Sequence, residues 1–266
     1  MEFFFQESFL YFCIIYKCNM MKKITIFFFL FVCFIMTAHS QPHSDEVEIS
    51  KDLRLIRLKE GIYQHISYID IPQYGRFPAN GMVVTDGKEA ILFDTPWNDS
   101  LTSALYHYLT SVMDLKIIAF VPNHWHEDCM GGVGFLKKHQ IVFYASEITG
   151  KIAEEQKLPV PDVTFRDSLE LRVGETAIWL YFPGPAHSKD NIVAWIPGKK
   201  VLFAGCMLKS LASTDLGNIE DGDLTAYPKT IDFLISKFKS AEIVIPGHGS
   251  VGGLELIKYT KELLKP

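Results

Sequence analysis

The sequence predicts one α/β domain of two layered mixed sheets with helices on their outer faces. Three observations predict it. Short apolar strands and amphipathic helices mix in both halves of the chain. No Pro/Ser-rich linker separates the halves. Clusters of histidine, aspartate and cysteine recur just after buried strands, where loops mount functional groups. A length of 266 residues allows one large domain or two small ones. The content of 48% hydrophobic and 21% charged residues is that of an ordinary globular protein. A net charge of -5 gives no reason to expect nucleic acid as a partner. No repeat of 20–50 residues suggests a solenoid.

Residues 1–40 are a different material. Met21-Lys22-Lys23 is basic, Ile24 to Met36 is an almost unbroken apolar run, and Ala38-His39-Ser40 offers small residues. That order is a secretory signal peptide, with its start near Met20 or Met21 and cleavage near Ser40. The apolar run is short for a membrane span, so no stable membrane anchor is expected. Cys33 lies inside that run, which makes a poor lipoprotein signal. The expected product is a periplasmic chain forming a single domain over 41–266. Nothing in it demands a partner chain, so a monomer is expected. Cys129 and Cys206 are the two cysteines that remain.

Along the mature chain, residues 41–50 read as a frayed terminus. Ile62 to Tyr68 alternates apolar and polar, as a half-buried strand does. Ile71 to Pro78, with two prolines and a glycine, reads as a loop. Asn80 to Val84, Asp86-Gly87 and Ala90 to Asp94 read as strand, tight turn, strand. Asp99 to Met113 has helical periodicity, and Ile117 to Val121 is a buried strand that runs into a His-rich segment. A helix over Gly131–His139, a strand over Ile141–Tyr144 and a helix over Ile148–Gln156 follow. Then come strands at Ala177–Phe182, Ile192–Ile196 and Val201–Ala204, a helix to Phe238, a strand at Ile243–Ile245 and a final helix, Leu254–Leu264.

His124-x-His126-x-Asp128, His187, Cys206 and His248 all fall just past strand ends. In extended chain, positions i, i+2 and i+4 share a face, so His124, His126 and Asp128 can point together. Three histidines are a common zinc set with an open fourth position. Asp, Cys and His form a second plausible set, since zinc accepts oxygen, sulfur and nitrogen together. One such histidine alone is more often a hydrogen-bonded polar residue than a ligand; the combination at strand ends is far more specific. His65, His107 and His139 lack that context and read as surface or partly buried residues.

The run His124-Trp125-His126-Glu127-Asp128-Cys129-Met130-Gly131-Gly132 resembles the metal-binding signature of the metallo-β-lactamase superfamily. Gly184 to Val193, around His187, resembles the segment of the third histidine. Gly205-Cys206-Met207-Leu208-Lys209, Gly217-Asn218-Ile219 and Pro246-Gly247-His248-Gly249 complete the set in family order. The resemblance spans roughly residue 50 to the end, and is nearest to the di-zinc, cysteine-containing subclass of class B, among CcrA/CfiA-like enzymes. Glyoxalase II-like and nuclease-like members carry a histidine where this chain has Cys129, and a bridging aspartate where it has Cys206. The mono-zinc subclass has Asn in place of the first histidine; here Asn123 is one position early.

The resemblance implies a four-layer αβ/βα sandwich and two zinc ions per chain. The first would be held by His124, His126 and His187, the second by Asp128, Cys206 and His248. It implies hydrolysis of the β-lactam amide bond of penicillins, cephalosporins and carbapenems by a zinc-bound hydroxide, and antibiotic resistance as the result. Asp128 would orient the hydroxide, and the second zinc would stabilise the departing nitrogen. Asn218 would join the first zinc in polarising the lactam carbonyl, and Lys209 would bind the substrate carboxylate. Asp94 is a candidate anchor for the metal loop. The Tyr74–Phe77 segment would be a mobile apolar lid, and Met82 and Trp97 core or rim residues. A zinc-binding Cys206 requires that no Cys129–Cys206 disulfide form. Two rival readings stand beside this one: a thioesterase or lactonase on the same metal framework, and a secreted zinc-binding protein without turnover.

Overall fold

The computed structural model describes residues 45–72 and 75–265. The signal-peptide, start-site and cleavage expectations, and Gln73 and Tyr74 of the expected lid, lie outside the described residues. Among the described residues, no helix is long and apolar enough to cross a membrane.

The first sheet has eight strands in chain order: β1 (Glu46–Ser50), β2 (Leu53–Lys59), β3 (Ile62–Ile71), β4 (Gly75–Asp86), β5 (Glu89–Phe93), β6 (Lys116–Val121), β7 (Val142–Ser146) and β8 (Val163–Phe165). Pairing is antiparallel from β1 to β5 and parallel from β5 to β8. The second sheet runs β13-β12-β11-β10-β9, from β9 (Ser168–Val173), β10 (Thr176–Tyr181), β11 (Val193–Ile196), β12 (Val201–Gly205) and β13 (Ile243–Pro246). Its pairs are antiparallel except β12 with β13.

Strand alternation sorts the apolar side chains into two faces per sheet. Met82, Val84, Ile91 and Phe93 meet Ile178, Leu180, Val201, Phe203 and Ile245 in the core between the sheets. The Phe93 and Phe203 rings lie 6.2 Å apart across it. The opposite face of the first sheet packs Val83, Leu92 and Phe143 on Leu105 of α1 (Asp99–His107) and Leu136 of α3 (Val133–Lys138). The opposite face of the second packs Leu202, Ala204 and Val244 on α5 (Tyr227–Lys237) and α6 (Leu254–Leu263). The remaining helices are α2 (Glu127–Met130) and α4 (Glu147–Glu155). The result is the expected helix–sheet–sheet–helix sandwich. A bulge in the β5–β6 pairing explains why Ile117 and Ala119, two residues apart, face opposite cores.

Several elements differ from the sequence reading. Residues 46–50 are a strand, because Glu48 and Val47 pair with Arg54 and Leu55 of β2. The alternation Leu53-Arg54-Leu55 and Ser168-Leu169-Glu170-Leu171 made strands that had no place in that reading. The expected loop Ile71–Pro78 is mostly the end of a β-hairpin: β3 reaches Ile71, β4 begins at Gly75, and Pro78 pairs with Tyr68. Pro78 is tolerated because β4 pairs with β5 only from Met82 onward, so its missing N–H faces no strand. The last turns of the first helix widen into a π-helix over Tyr108–Val112.

This topology positions the site. The C-terminal ends of β5, β6, β10, β12 and β13 and the N-terminal half of β4 all lie at one edge of the sandwich, since β4 runs antiparallel to β5 and β12 parallel to β13.

Candidate metal centre

Past β6, the backbone turns at Asn123. Asp94, just after β5 and held at a positive φ of 54°, accepts the Asn123 N–H at 2.5 Å. Asn123 Nδ2 donates to Ile192 O, just before β11, and to Ala204 O (3.1 Å), near the end of β12, so its Oδ1 is left as an acceptor. That oxygen takes His124 Nδ1–H at 3.1 Å and Asn191 Nδ2 at 3.1 Å. Asn123 therefore ties the two sheets together and fixes the tautomer of His124, which keeps its Nε2 lone pair. Gly205, at φ 54°, is required beside it: a Cβ there would lie 2.3 Å from Asn123 Cγ.

His124 Nε2 lies 2.8 Å from His126 Nδ1. His126 in turn donates its Nε2–H to Asp221 Oδ2 at 2.8 Å, which turns Nδ1 toward His124. The His187 ring sits edge-on to both, with centroids 5.0 and 5.3 Å away. His187 is carried by a closed turn: Ser188 Oγ and Thr149 Oγ1 donate to the two oxygens of buried Asp190, and Ser188 N donates to Asn191 Oδ1. The ligand atoms of His124, His126 and His187 fall within 4.8 Å of one another.

Asp128 belongs elsewhere. Its Oδ2 lies 3.2 Å from Cys206 Sγ and 3.3 Å from His248 Nε2, and the latter two are 3.3 Å apart. His248 Nδ1–H donates to Pro78 O at 2.6 Å, which leaves Nε2 facing the carboxylate and the sulfur. Gly247 has room for hydrogen only, since a Cβ would lie 2.3 Å from Cys206 Sγ. His124, Asp128 and Cys129 form a further close group of metal-binding types, but His124 and Asp128 are each already members of a triad.

Electrostatics favours neutral imidazoles at His124 and His187 and a thiolate at Cys206. At His248, by contrast, burial is outweighed by the charge of Cys206 and by the hydrogen bond and charge of Asp128. These raise its pKa well above the usual imidazole value and keep on it a proton that a metal ion would displace. Burial, with the charge of Lys209 and the neighbouring histidines, lowers His124 to about 3; the nearby Asp128 only partly offsets it. Burial, with His124 and Lys209, lowers His187 to about 2. Burial opposes ionisation of Asp128, yet the His248 hydrogen bond and the charges of His124 and His248 hold its carboxyl well below the usual range. Cys129 and Cys206 are both free and buried, so no disulfide joins them. The hydrogen bond from Cys129 pulls the Cys206 thiol down, whereas burial and that same bond push Cys129 up. Cys206 is thus the metal-ready sulfur and Cys129 the protonated donor beside it.

These donor sets fit zinc. Three imidazoles converge, two of them held neutral well below neutral pH, and a carboxylate, a thiol biased toward thiolate and an imidazole converge next to them. His187 Nδ1 is buried with no hydrogen-bond partner among the described residues.

The remaining expected residues gather around the triads. Lys209 is buried, and burial lowers its pKa against the pull of Cys206 and Asp128. No carboxylate lies within ion-pair distance of it among the described residues. Its Nζ approaches the loop of Asn218, 3.9 Å from where a Gly217 Cβ would sit. Asn218 is exposed and accepts Glu220 N–H through Oδ1 at 3.0 Å, which leaves its Nδ2 hydrogens for another acceptor. Phe77 and Trp97 pack near His248, with ring centroids 4.9 and 6.5 Å away. Met82 is core. Sequence reasoning missed Asp221 and the structural part of Asn123. Asp221 lies three residues after Asn218 in the same polar loop, a signal that its neighbourhood offered. His65 is fully buried rather than near the surface, with Nε2 on Asp94 O at 3.1 Å.

The model of the family described as the Metallo-beta-lactamase superfamily matches residues 74–248. A protein named metallo-beta-lactamase type 2 from Bacteroides fragilis is 41% identical over 240 residues, covering 90% of this chain and 95% of that protein. Its namesake from Pseudomonas aeruginosa is 31% identical, covering 91% and 93%. The crystal structure of VMB-1 at pH 5.5 superposes with a TM-score of 0.78 at 35% identity, over 81% of this chain and 97% of that one.

Proposed function

We propose, since this chain belongs to the metallo-beta-lactamase superfamily and to its class B enzymes, that its paired triads hold two zinc ions for hydrolysis of the β-lactam amide bond, conferring resistance to such antibiotics. The observation that carries this reading is the meeting of the two triads at His124 and Asp128, 3.8 Å apart, near the buried Lys209, which has no carboxylate at ion-pair distance among the described residues.

His124, His126 and His187 would hold one ion; Asp128, Cys206 and His248 would hold the other. Bound zinc supplies Lewis acidity to a carbonyl and lowers the pKa of water to about 7. The rest is done by side chains. Asp128 remains a carboxylate at any working pH, so it accepts a hydrogen bond from the attacking water and orients it rather than storing a proton. Lys209 draws in the carboxylate that penicillins, cephalosporins and carbapenems share. Asn218 Nδ2 donates to the carbonyl oxygen as charge develops there. Phe77 and Trp97 present apolar surface at the mouth and exclude water from it. Carbapenems belong to the proposed substrates because nothing in this arrangement depends on the group fused to the lactam ring. A thioesterase or lactonase would use the same triads, but neither substrate class calls for a buried cation at Lys209.

The exported, periplasmic location is part of the proposal. It is supported by the basic–apolar–small order of residues 21–40 and by the polar stretch that follows. A single domain over 41–266, acting as a monomer with no stable anchor, completes it. The test is hydrolysis of a chromogenic cephalosporin and of a carbapenem, with and without a chelator. Turnover of both, abolished by chelation and restored by zinc, is expected; chelator-insensitive turnover, or none with zinc in excess, refutes the reading.

A further inference from the structure

The loop Pro246–Gly249 leaves β13 in the second sheet but hangs from the first. Asn80, on β4, is 3% exposed. Its Nδ2 donates to Pro246 O at 2.9 Å and to Gly249 O at 2.8 Å, and its backbone N–H donates to Gly247 O at 2.8 Å. Gln64 Nε2, across the β3–β4 pair, donates to Asn80 Oδ1 at 2.9 Å. His248 Nδ1 itself donates to Pro78 O, two residues back on β4. Every residue from 246 to 249 therefore has a hydrogen bond to β4. The amide of Asn80 cannot flip without losing three bonds, because two carbonyls fix its nitrogen and Gln64 fixes its oxygen. Among the described residues, no hydrogen bond joins Asn80 or Gln64 to His124, His126 or His187.

We infer that Asn80, oriented by Gln64, is a positioning residue for the Asp128–Cys206–His248 triad and sets that site's affinity for its metal, independently of the three-histidine site. The inference deepens the proposed function and rests on its ligand assignment. Without the Asn80 amide, Pro246 O would be left unpaired in buried surroundings and Gly249 O, on the exposed flank of the loop, would turn to water, so the loop would shift. A shift of Gly247 also disturbs Cys206, since the two are packed with no space for a methyl group between them. His248 and Cys206 then lose their common geometry, while the three histidines, held by Asn123, Asp221 and the 188–191 turn, do not. The same clamp makes β4 and the second metal site one mechanical unit.

The experiment is a cobalt(II) titration of the metal-free protein, with the thiolate-to-cobalt absorption reporting the Cys206 site and a chelator competition giving zinc affinity at each site. Asn80→Ala is expected to weaken the thiolate-containing site about 10–100-fold, as loss of a ligand's supporting bonds does, and to leave the three-histidine site within about twofold. Gln64→Leu should weaken the same site by less. Unchanged affinities, or equal weakening of both sites, overturn the inference. If Asn80→Ala does not fold, Gln64→Leu decides by the same criterion. Absence of the thiolate absorption in the wild type would instead bring down the ligand assignment, and the inference with it, an outcome distinct from a normal wild type with indifferent variants.

Discussion

Asp128 sits in the same short run as His124 and His126, yet its carboxylate faces Cys206 and His248 at 3.2 and 3.3 Å and stands 3.8 Å from His124 Nε2. The short helix α2 that begins at Glu127 causes this division, because it rotates Asp128 out of the extended register of the histidines. Lys209 shows a second consequence of local context. Among the described residues this buried ammonium has no carboxylate at ion-pair distance, and such a group gains most from an anionic ligand. Lys209→Ala should therefore lower kcat/KM for a carboxylate-bearing cephalosporin about 10–100-fold, as loss of a charged hydrogen bond worth roughly 2 kcal/mol does, mainly through KM. The methyl ester of the same substrate should lose little; equal losses for acid and ester would contradict the role. His65 gives a pH prediction away from the metals. Burial lowers it to about 4, so the fold holds it neutral while the unfolded chain protonates near 6.5. Its stabilising share is complete above pH 6.5 and is lost as pH falls toward 4, a loss on the order of 3 kcal/mol. His65→Gln should flatten that part of the pH dependence in urea denaturation of the metal-free protein; an unchanged slope between pH 7 and 4.5 would exclude His65 as its source.

At the level of elements, the sandwich is joined at the site edge by polar side chains rather than by apolar packing alone. Asn123 spans from the end of β6 to the strands of the second sheet, with its amide donating to Ile192 O just before β11 and to Ala204 O in β12. Asn123→Ala should cost on the order of 3 kcal/mol in the metal-free protein, because two buried carbonyls lose their donor. Asn123→Asp should be no better, since it sets a carboxylate against those carbonyls. A urea midpoint unchanged in both variants would show that these strands are held by other means. Much of this arrangement was legible in the sequence: apolar runs of period two, the turn at Asp86-Gly87, and ligand types at strand ends. Other parts were not. Leu53-Arg54-Leu55 alternates as clearly as any strand, but the turn before it, where Ser50 Oγ accepts the Asp52 N–H, is marked by neither glycine nor proline. Pro72 and Pro78 hid a hairpin, because a proline is harmless where a strand has no neighbour on that side. The long-range partners of Asn80, Asn123 and Asp221 could not be read, because their meaning lies in carbonyls and rings that only the fold brings near.

For the whole molecule, the four-layer sandwich places the C-terminal ends of strands from both sheets at one edge, and each sheet supplies part of each triad. His124 and His126 come from the first sheet and His187 from the second; Asp128 comes from the first, and Cys206 and His248 from the second. Metal binding therefore links the sheets, and loading with zinc should raise thermal stability as any ligand of the native state does. The proposed export would require the free, buried state of Cys129 and Cys206 to be kept where thiols tend to oxidise. Zinc on Cys206 would protect it. The most direct measurement of the paired-triad site is the zinc content per chain of the wild type and of Cys206→Ser, determined together with hydrolysis of a cephalosporin under limiting zinc. Two ions per chain in the wild type, about one in the variant and a sharp fall in its turnover are the predicted result; equal zinc content and equal turnover in both would contradict the assignment of Cys206 and, with it, of the second metal site.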